Sequence, residues 1–247
     1  MQKFAHDTVV PYSGSELGKK QQVAEMFDHI AFRYDFLNRF LSAGIDVSWR
    51  KKAIRELAPL QPQSILDVAT GTGDMAILMA KMLKARKIIG IDISEGMLDK
   101  GREKLAGSPF NELISLQNGD SETINYPQAS FDAVTVAFGV RNFENLERGL
   151  QEIFRVLRPG GKLVILEFSK PKTQGIRQLY NLYMGFIAPQ IGRLFCKDKD
   201  AYQYLNDSVQ RFPEGKEFVD ILDSVGFTNT TCKNLSFGIC SIYAGTK

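Results

Sequence analysis

Histidine is almost missing from this chain: His6 and His29 are the only two among 247 residues. A catalytic triad therefore has few candidates for its base and a Cys/His metal cluster is poorly supplied, so neither a triad nor a metal site is expected. Cysteine is scarce as well. Cys196, Cys232 and Cys240 are odd in number, show no CxxC spacing and read as free thiols in a reducing compartment. Charge of one sign is nowhere concentrated: 31 basic and 28 acidic residues are spread along the chain for a net +3. Without a basic run there is no support for nucleic acid as a partner. No apolar run is long enough to span a bilayer, and the opening residues lack the apolar core of a signal peptide. The expectation is a cytoplasmic protein, with peripheral contact at the inner face of the membrane left open.

What is present is the makeup of an ordinary soluble globular protein, 44% hydrophobic and 24% charged, with enough chain for a sizeable core. Past a polar start, Lys19–Leu41 carries Val23, Met26, Phe27, Ile30, Tyr34, Leu37 and Phe40 or Leu41 on one helical stripe. A second helix is predicted from Ser48, as N-cap, through Leu57. The period then changes. Residues 65–69, 87–92, 113–117, 133–138 and 162–168 are short, β-branched-rich runs, most of them separated by helical stretches near 74–84, 95–106 and 144–157. That alternation predicts a parallel sheet covered on both faces. Arg158-Pro159-Gly160-Gly161 is expected to stop a helix and reverse the chain into the next strand. Helices near 175–195, 199–210 and 215–225 then precede a hairpin, 227–234 with 239–245, added to the sheet edge through a turn at Phe237-Gly238. With no internal repeat, the reading is a flexible stretch over 1–18 and one domain over 19–247. Within it lie a helical cap (19–60), a cofactor-binding core (61–169), lid helices (170–226) and the closing hairpin (227–247).

The most informative segment is Ile65-Leu66-Asp67-Val68-Ala69-Thr70-Gly71-Thr72-Gly73-Asp74, followed by Lys87-Ile88-Ile89-Gly90-Ile91-Asp92. It reads as strand, glycine turn, helix start and a second strand ending in a carboxylate. Gly71 and Gly73 let backbone approach a ligand closely. Asp92 can accept from both hydroxyls of a ribose, each charge-assisted bond contributing about 1.5–3 kcal/mol. Gly71-Thr72-Gly73-Asp74-Met75-Ala76 also fits the dinucleotide pattern G-x-G-x-x-A, so the glycines alone do not choose between a nicotinamide cofactor and S-adenosylmethionine. Asp67 is one feature that does: it places a charge inside an apolar strand, where a sulfonium and an ammonium need nearby acid. Its alternative role is to order the glycine turn, and both roles can hold together. The terminal hairpin and the unit helix-Leu157-Arg158-Pro159-Gly160-Gly161-strand complete the list.

Together these features resemble the class I S-adenosylmethionine-dependent methyltransferases over residues 60–247. The resemblance implies an α/β, Rossmann-like fold with a seven-stranded, mostly parallel sheet and an antiparallel last strand, here with an N-terminal helical extension and inserted lid helices. It also implies cofactor contacts from Thr72 in the turn, from Asp92, from Asp120 to the adenine amino group and from the Ser121 amide to a ring nitrogen.

Longer segments carry a narrower resemblance: Phe27-Asp28-His29-Ile30-Ala31-Phe32-Arg33-Tyr34-Asp35, Leu41-Ser42-Ala43-Gly44-Ile45-Asp46, Phe138-Gly139-Val140-Arg141-Asn142, Leu166-Glu167-Phe168-Ser169-Lys170-Pro171 and Asp200-Ala201-Tyr202-Gln203-Tyr204-Leu205. They are similar to the menaquinone and ubiquinone biosynthesis C-methyltransferase family from about residue 23 onward. Asp46 departs from it, since many relatives carry histidine there, and His29 reads as a helix-surface residue. The resemblance implies methyl transfer from the sulfonium to a ring carbon of a demethylated isoprenoid quinol; no residue chooses between a naphthoquinol, the preferred expectation, and a benzoquinol, and a homodimer is left open. A free phenol with a pKa near ~10 is mostly neutral at cytosolic pH, so the site must favour the phenolate. Arg141, always charged, suits the oxyanion or a water that removes the proton; the bland alternative is an arginine paired to a surface acid such as Glu144 beside a helix cap. Asn142 can orient the same hydroxyl, Tyr34 can hydrogen-bond the quinol, and Asp35 is the nearest carboxylate for proton relay. The apolar stretch 175–195, with Tyr183 and Phe186, is expected to form a lid that guides the tail or simply to pack in the core. The competing readings are a methyltransferase for another small phenolic or lipid acceptor, a cofactor-binding scaffold in a quinone-synthesis assembly and a nicotinamide oxidoreductase.

Overall fold

The structure, a computed structural model, describes residues 4–42, 44–171, 174, 175, 178 and 199–247. Strands β1 (Ser64–Val68), β2 (Lys87–Asp92), β3 (Ile114–Asn118), β4 (Phe131–Ala137), β5 (Leu157–Phe168), β6 (Thr228–Leu235) and β7 (Cys240–Thr246) form a seven-stranded sheet in the order β3-β2-β1-β4-β5-β7-β6. The pairs among β1 to β5 are parallel, and β7 runs antiparallel to both of its neighbours. Among the described residues the α-helices are α1 (Lys19–Leu41), α2 (Ile45–Arg55), α3 (Asp74–Met82), α4 (Glu95–Ala106), α5 (Leu146–Val156), α6 (Lys199–Arg211) and α7 (Lys216–Val225).

The period-2 alternation of the strands divides the apolar residues between two cores. Leu66, Val68, Ile89, Ile91, Val134 and Val136 pack on one face with Leu150 and Ile153 of α5 and Phe218 and Leu222 of α7. Ile65, Ile88, Ala133 and Val164 pack on the other with Trp49 and Ile54 of α2, Met79 of α3 and Leu98 of α4. Each such fully buried aliphatic side chain contributes about 1.5–3 kcal/mol, which is why strands covered on both faces read as near-continuous apolar runs. Val23, Met26, Phe27 and Ile30 of α1 form a third cluster with Val9, Met97 and Tyr204.

The structure corrects several boundaries. Helix α2 begins at Ile45 after Gly44 in the left-handed region (φ 74), so Ser48 lies inside it and caps nothing. The α5 cap is Asn145, whose side chain accepts from the Arg148 amide, while Val140–Asn142 forms a separate 3-10 turn. Arg158-Pro159-Gly160-Gly161 is no reversal. Phe131 pairs with Leu157 and Ala133 with Lys162, so the four residues bulge out of one continuous β5 opposite Asp132, with Gly160 at φ 77. The hairpin does close the sheet, but β7 is inserted between β5 and β6. Part of the stretch expected to be flexible is packed: Val9 is buried, and His6 is fully buried against the Phe4 and Phe212 rings. Burial pushes its imidazole down to about 3. The expected lid around Tyr183 and Phe186, and Cys196, lie outside the described residues.

Candidate active site

Strand β1 has β2 on one side and β4 on the other, and in such sheets the crevice outside the carboxyl ends of the strands at this switch point is the ligand site. A cleft opens there. Its walls are Ala69 and Gly71 after β1, Asp92 and Ile93 from β2, Gly119 to Glu122 after β3, Phe138, Gly139 and Asn142 after β4, and Lys20, Phe27 and Tyr34 of α1.

Two strands end at the cleft in a conformation that side chains rarely adopt. Ala69 (φ 53) and Phe138 (φ 60) both leave the strand through the left-handed region, at about 1–3 kcal/mol each. Both were expected inside the strands. A Cβ at Gly139 would stand 2.5 Å from the Ala69 Cβ, so only glycine lets the two loops meet. At Gly71 (φ 55) a Cβ would meet nothing and would project into open space.

Asp67 is buried, accepting from the Thr70 hydroxyl at 2.6 Å and the Thr135 hydroxyl at 2.5 Å. Burial raises its carboxyl to about 6 despite those bonds. It does not line the cleft. Its geometry is that of a residue ordering the turn through Thr70, whose amide and carbonyl bind Ile91 and Gly73.

Asp92 does line the cleft. It accepts from the Gly71 amide at 2.8 Å and the Ser94 amide at 2.9 Å, and burial raises its pKa against those bonds. A carboxylate offers about four lone-pair sites, so two amides leave room for two hydroxyls. Asp120 accepts from the Glu122 amide at 2.9 Å and from Lys20 Nζ at 2.6 Å. Ser121 stands beside it in the wall. Burial disfavours the Lys20 charge, but its bonds to Asp120 and Glu122 outweigh that and hold the ammonium above its usual range.

Thr72, Gly73 and Asp35 do not line the cleft. The Thr72 hydroxyl donates to Asp35 at 2.6 Å, and Lys104 bridges Asp35, Thr72 and Asp74. Tyr34 and Asp35 are consecutive on α1 and diverge by about 100°, so Tyr34 reaches the cleft and Asp35 reaches the glycine turn. The relay expected of Asp35 is therefore not what its position serves.

Arg141 differs most from expectation. Its side chain is only 4% exposed, donating from Nη1 to Glu167 at 2.7 Å and to the Phe138 carbonyl at 2.6 Å. The partner is a fully buried acid rather than Glu144, and the guanidinium lies behind the wall of the cleft. Burial raises the Glu167 pKa, with the Arg141 charge opposing it. Arg141 Nε is buried without an acceptor among the described residues. Asn142 faces the cleft, and its Oδ1 accepts from the Tyr204 hydroxyl of α6 at 3.1 Å.

Sequence reasoning passed over Lys20, Asp28, Glu167 and Tyr204 as site residues. Asp28 caps α4 from outside, accepting from the Ser94 hydroxyl at 2.6 Å and the Gly96 amide at 2.9 Å. Helix α1 thus places Lys20 on the loop after β3, Asp28 on the loop after β2 and Asp35 on the loop after β1. Glu167 carried a usable signal, a lone acid in an apolar strand; Lys20 carried none.

The site and sheet define a class I S-adenosylmethionine-dependent methyltransferase. In solved structures the same fold recurs: a putative S-adenosylmethionine-dependent methyltransferase from Methanococcus maripaludis matches with a TM-score of 0.63 at 19% identity, covering 94% of this chain and 96% of that one. The model of the ubiE/COQ5 methyltransferase family matches residues 16–247, and the chain belongs to that family. It is 46% identical over 245 residues to the demethylmenaquinone methyltransferase of Bacteroides fragilis, covering 99% of each. It is 45% identical over 230 residues to the ubiquinone/menaquinone biosynthesis C-methyltransferase of Geobacter sulfurreducens, covering 93% of this chain and 90% of that one.

The residues present fit the cofactor of this class. Gly71 leaves open space for close approach, Asp92 has lone pairs to offer to vicinal hydroxyls, and Asp120 and Ser121 line the same cleft. S-adenosylmethionine supplies a methyl group on a positively charged sulfur, and the acidic side chains around the cleft favour that charge.

Proposed function

We propose that this enzyme methylates a ring carbon of a demethylated isoprenoid quinol, with demethylmenaquinol as the acceptor and a polyprenyl benzoquinol as the runner-up. The observation that carries the reading is that Tyr34 and Asn142 open on the same cleft as Gly71, Asp92 and Asp120. An aromatic carbon becomes nucleophilic when its neighbouring hydroxyl ionises, so the residues facing that hydroxyl must stabilise the anion. Tyr34 and Asn142 supply hydrogen bonds. Arg141 acts from behind the wall, fixing the Phe138 carbonyl and the Glu167 carboxylate that shape the loop. Asp67, Thr72 and Gly73 set the turn, and Gly71, Asp92, Asp120 and Ser121 hold the cofactor.

Among the described residues no helix is long and apolar enough to cross a membrane. The tail of such an acceptor is lipid-soluble, which supports a cytoplasmic enzyme that meets its substrate at the membrane surface; sedimentation with vesicles loaded with the quinol tests this. Function is tested by incubating the protein with methyl-labelled cofactor and demethylated naphthoquinol or benzoquinol. Label on a ring carbon is the expected result, and transfer to neither quinol overturns the reading. Asn142→Ala, in the cleft wall, separates enzyme from scaffold: turnover should collapse with cofactor affinity nearly intact, whereas unchanged quinone output in cells would favour the scaffold.

A further inference from the structure

A primary amide has one accepting end and one donating end, and which end faces a ligand decides what the ligand must be. Asn142 is the only member of the Arg141-Asn142 pair in the cleft wall, so the polarity of its amide sets the hydrogen bond offered there. Its Oδ1 is already engaged, accepting from Tyr204 at 3.1 Å. Tyr204 comes from α6, is 2% exposed and packs in the cluster formed by α1. Burial raises its pKa well above the usual phenol range, with the Arg141 charge opposing the shift, so the phenol keeps its proton and remains a donor. Arg141 does not line the cleft: its guanidinium is buried, with Nη1 donating to Glu167 and to the Phe138 carbonyl.

We propose that Tyr204 is a positioning residue: it pins the Asn142 carbonyl inward, so that the Asn142 NH₂ faces the cleft and donates to the reacting oxygen of the acceptor. The proposal rests on the quinol reading for the identity of that oxygen. The arrangement is also selective. A fixed donor stabilises a phenolate more than the neutral phenol and thus acts on ionisation, whereas a rotating amide could equally accept from the phenol and stabilise its neutral form.

Tyr204→Phe removes only the hydroxyl. With the purified protein, S-adenosylmethionine and a short-tailed demethylnaphthoquinol, kcat should fall about tenfold while both KM values stay within about twofold. The rate rises with pH as the bound phenol ionises, so loss of a donor should move that rising limb upward by about one pH unit. A structural role alone would lower the rate without moving the limb, and an unmoved limb overturns the proposal. A second readout needs no quinol: the Asn142 side-chain amide resonances, assigned through Asn142→Asp, should shift or broaden in Tyr204→Phe. An unchanged amide pair overturns the positioning role even if turnover falls. If the wild-type protein methylates no quinol, the functional reading fails by itself and the amide resonances still decide the role of Tyr204.

Discussion

On the rim formed after β1, β2 and β3, carboxylates are held largely by backbone amides: Asp92 by Ser94 beside it and by Gly71 at the end of the neighbouring strand, Asp120 by Glu122. On the rim formed after β4, polar groups are held by side chains distant in the chain: Arg141 by Glu167, Asn142 by Tyr204. The first kind of holding follows from the pairing of β1 with β2 and from the turns at the strand ends. The second exists only once β5 and α6 have packed. A nucleoside cofactor can therefore be bound by a local motif, while the acceptor rim is a product of tertiary structure.

The largest test of that contrast is Glu167→Ala, which leaves Arg141 buried with no acid; unfolding free energy from urea titration should drop by about 3–5 kcal/mol. Wild-type stability would mean the rim after β4 needs no such pair. Asp67 tests the other rim through pH. Its carboxyl is raised from 3.8 to about 6, so the folded state binds that proton more tightly than the unfolded one, and stability from this group is lost as pH climbs through that window. Asp67→Asn should therefore gain about 2–3 kcal/mol on the wild type between about pH 4 and pH 7, as followed by denaturation at both ends. Parallel pH profiles would show that ionised Asp67 is not penalised.

Asp92→Ala should weaken cofactor binding about 10- to 100-fold in a calorimetric titration, the loss of one or two charge-assisted bonds worth about 1.5–3 kcal/mol. Unchanged affinity would remove the central element of the cofactor rim. The smallest effect is expected for Lys20→Ala, whose ion pair with Asp120 is about one-third exposed. Solvent screening limits it to about 1 kcal/mol, a fivefold change or less in cofactor affinity that shrinks further in high salt.

The same contrast explains what could be read from the sequence. Strands β1, β2 and β4 announced themselves because burial on both faces demands apolar runs, and Gly71, Asp92, Asp120 and Ser121 followed from their places just after strand ends. The β5 bulge did not, because Arg158-Pro159-Gly160-Gly161 has the chemistry of a turn and is tied to the sheet by the Arg158–Asp132 ion pair and the backbone bonds of Gly160 and Gly161 with Lys247. Arg141 was visible as a chemical group, but its direction was not, since Glu167 lies 26 residues away. Tyr34 and Asp35 show the finer limit: neighbours in sequence, they serve opposite ends of the site because a helix separates them by about 100°.

The insertion of β7 between β5 and β6 has a consequence for synthesis. At about 5–20 residues per second, some four to fourteen seconds separate the emergence of Phe168 from that of Cys240, and in that interval the finished β5 has one unpaired edge. Its exposed run Leu163-Val164-Ile165-Leu166 is the segment most in need of shelter, so nascent-chain aggregation, rather than the stability of the finished enzyme, should be the first casualty of any change that slows completion of residues 240–246.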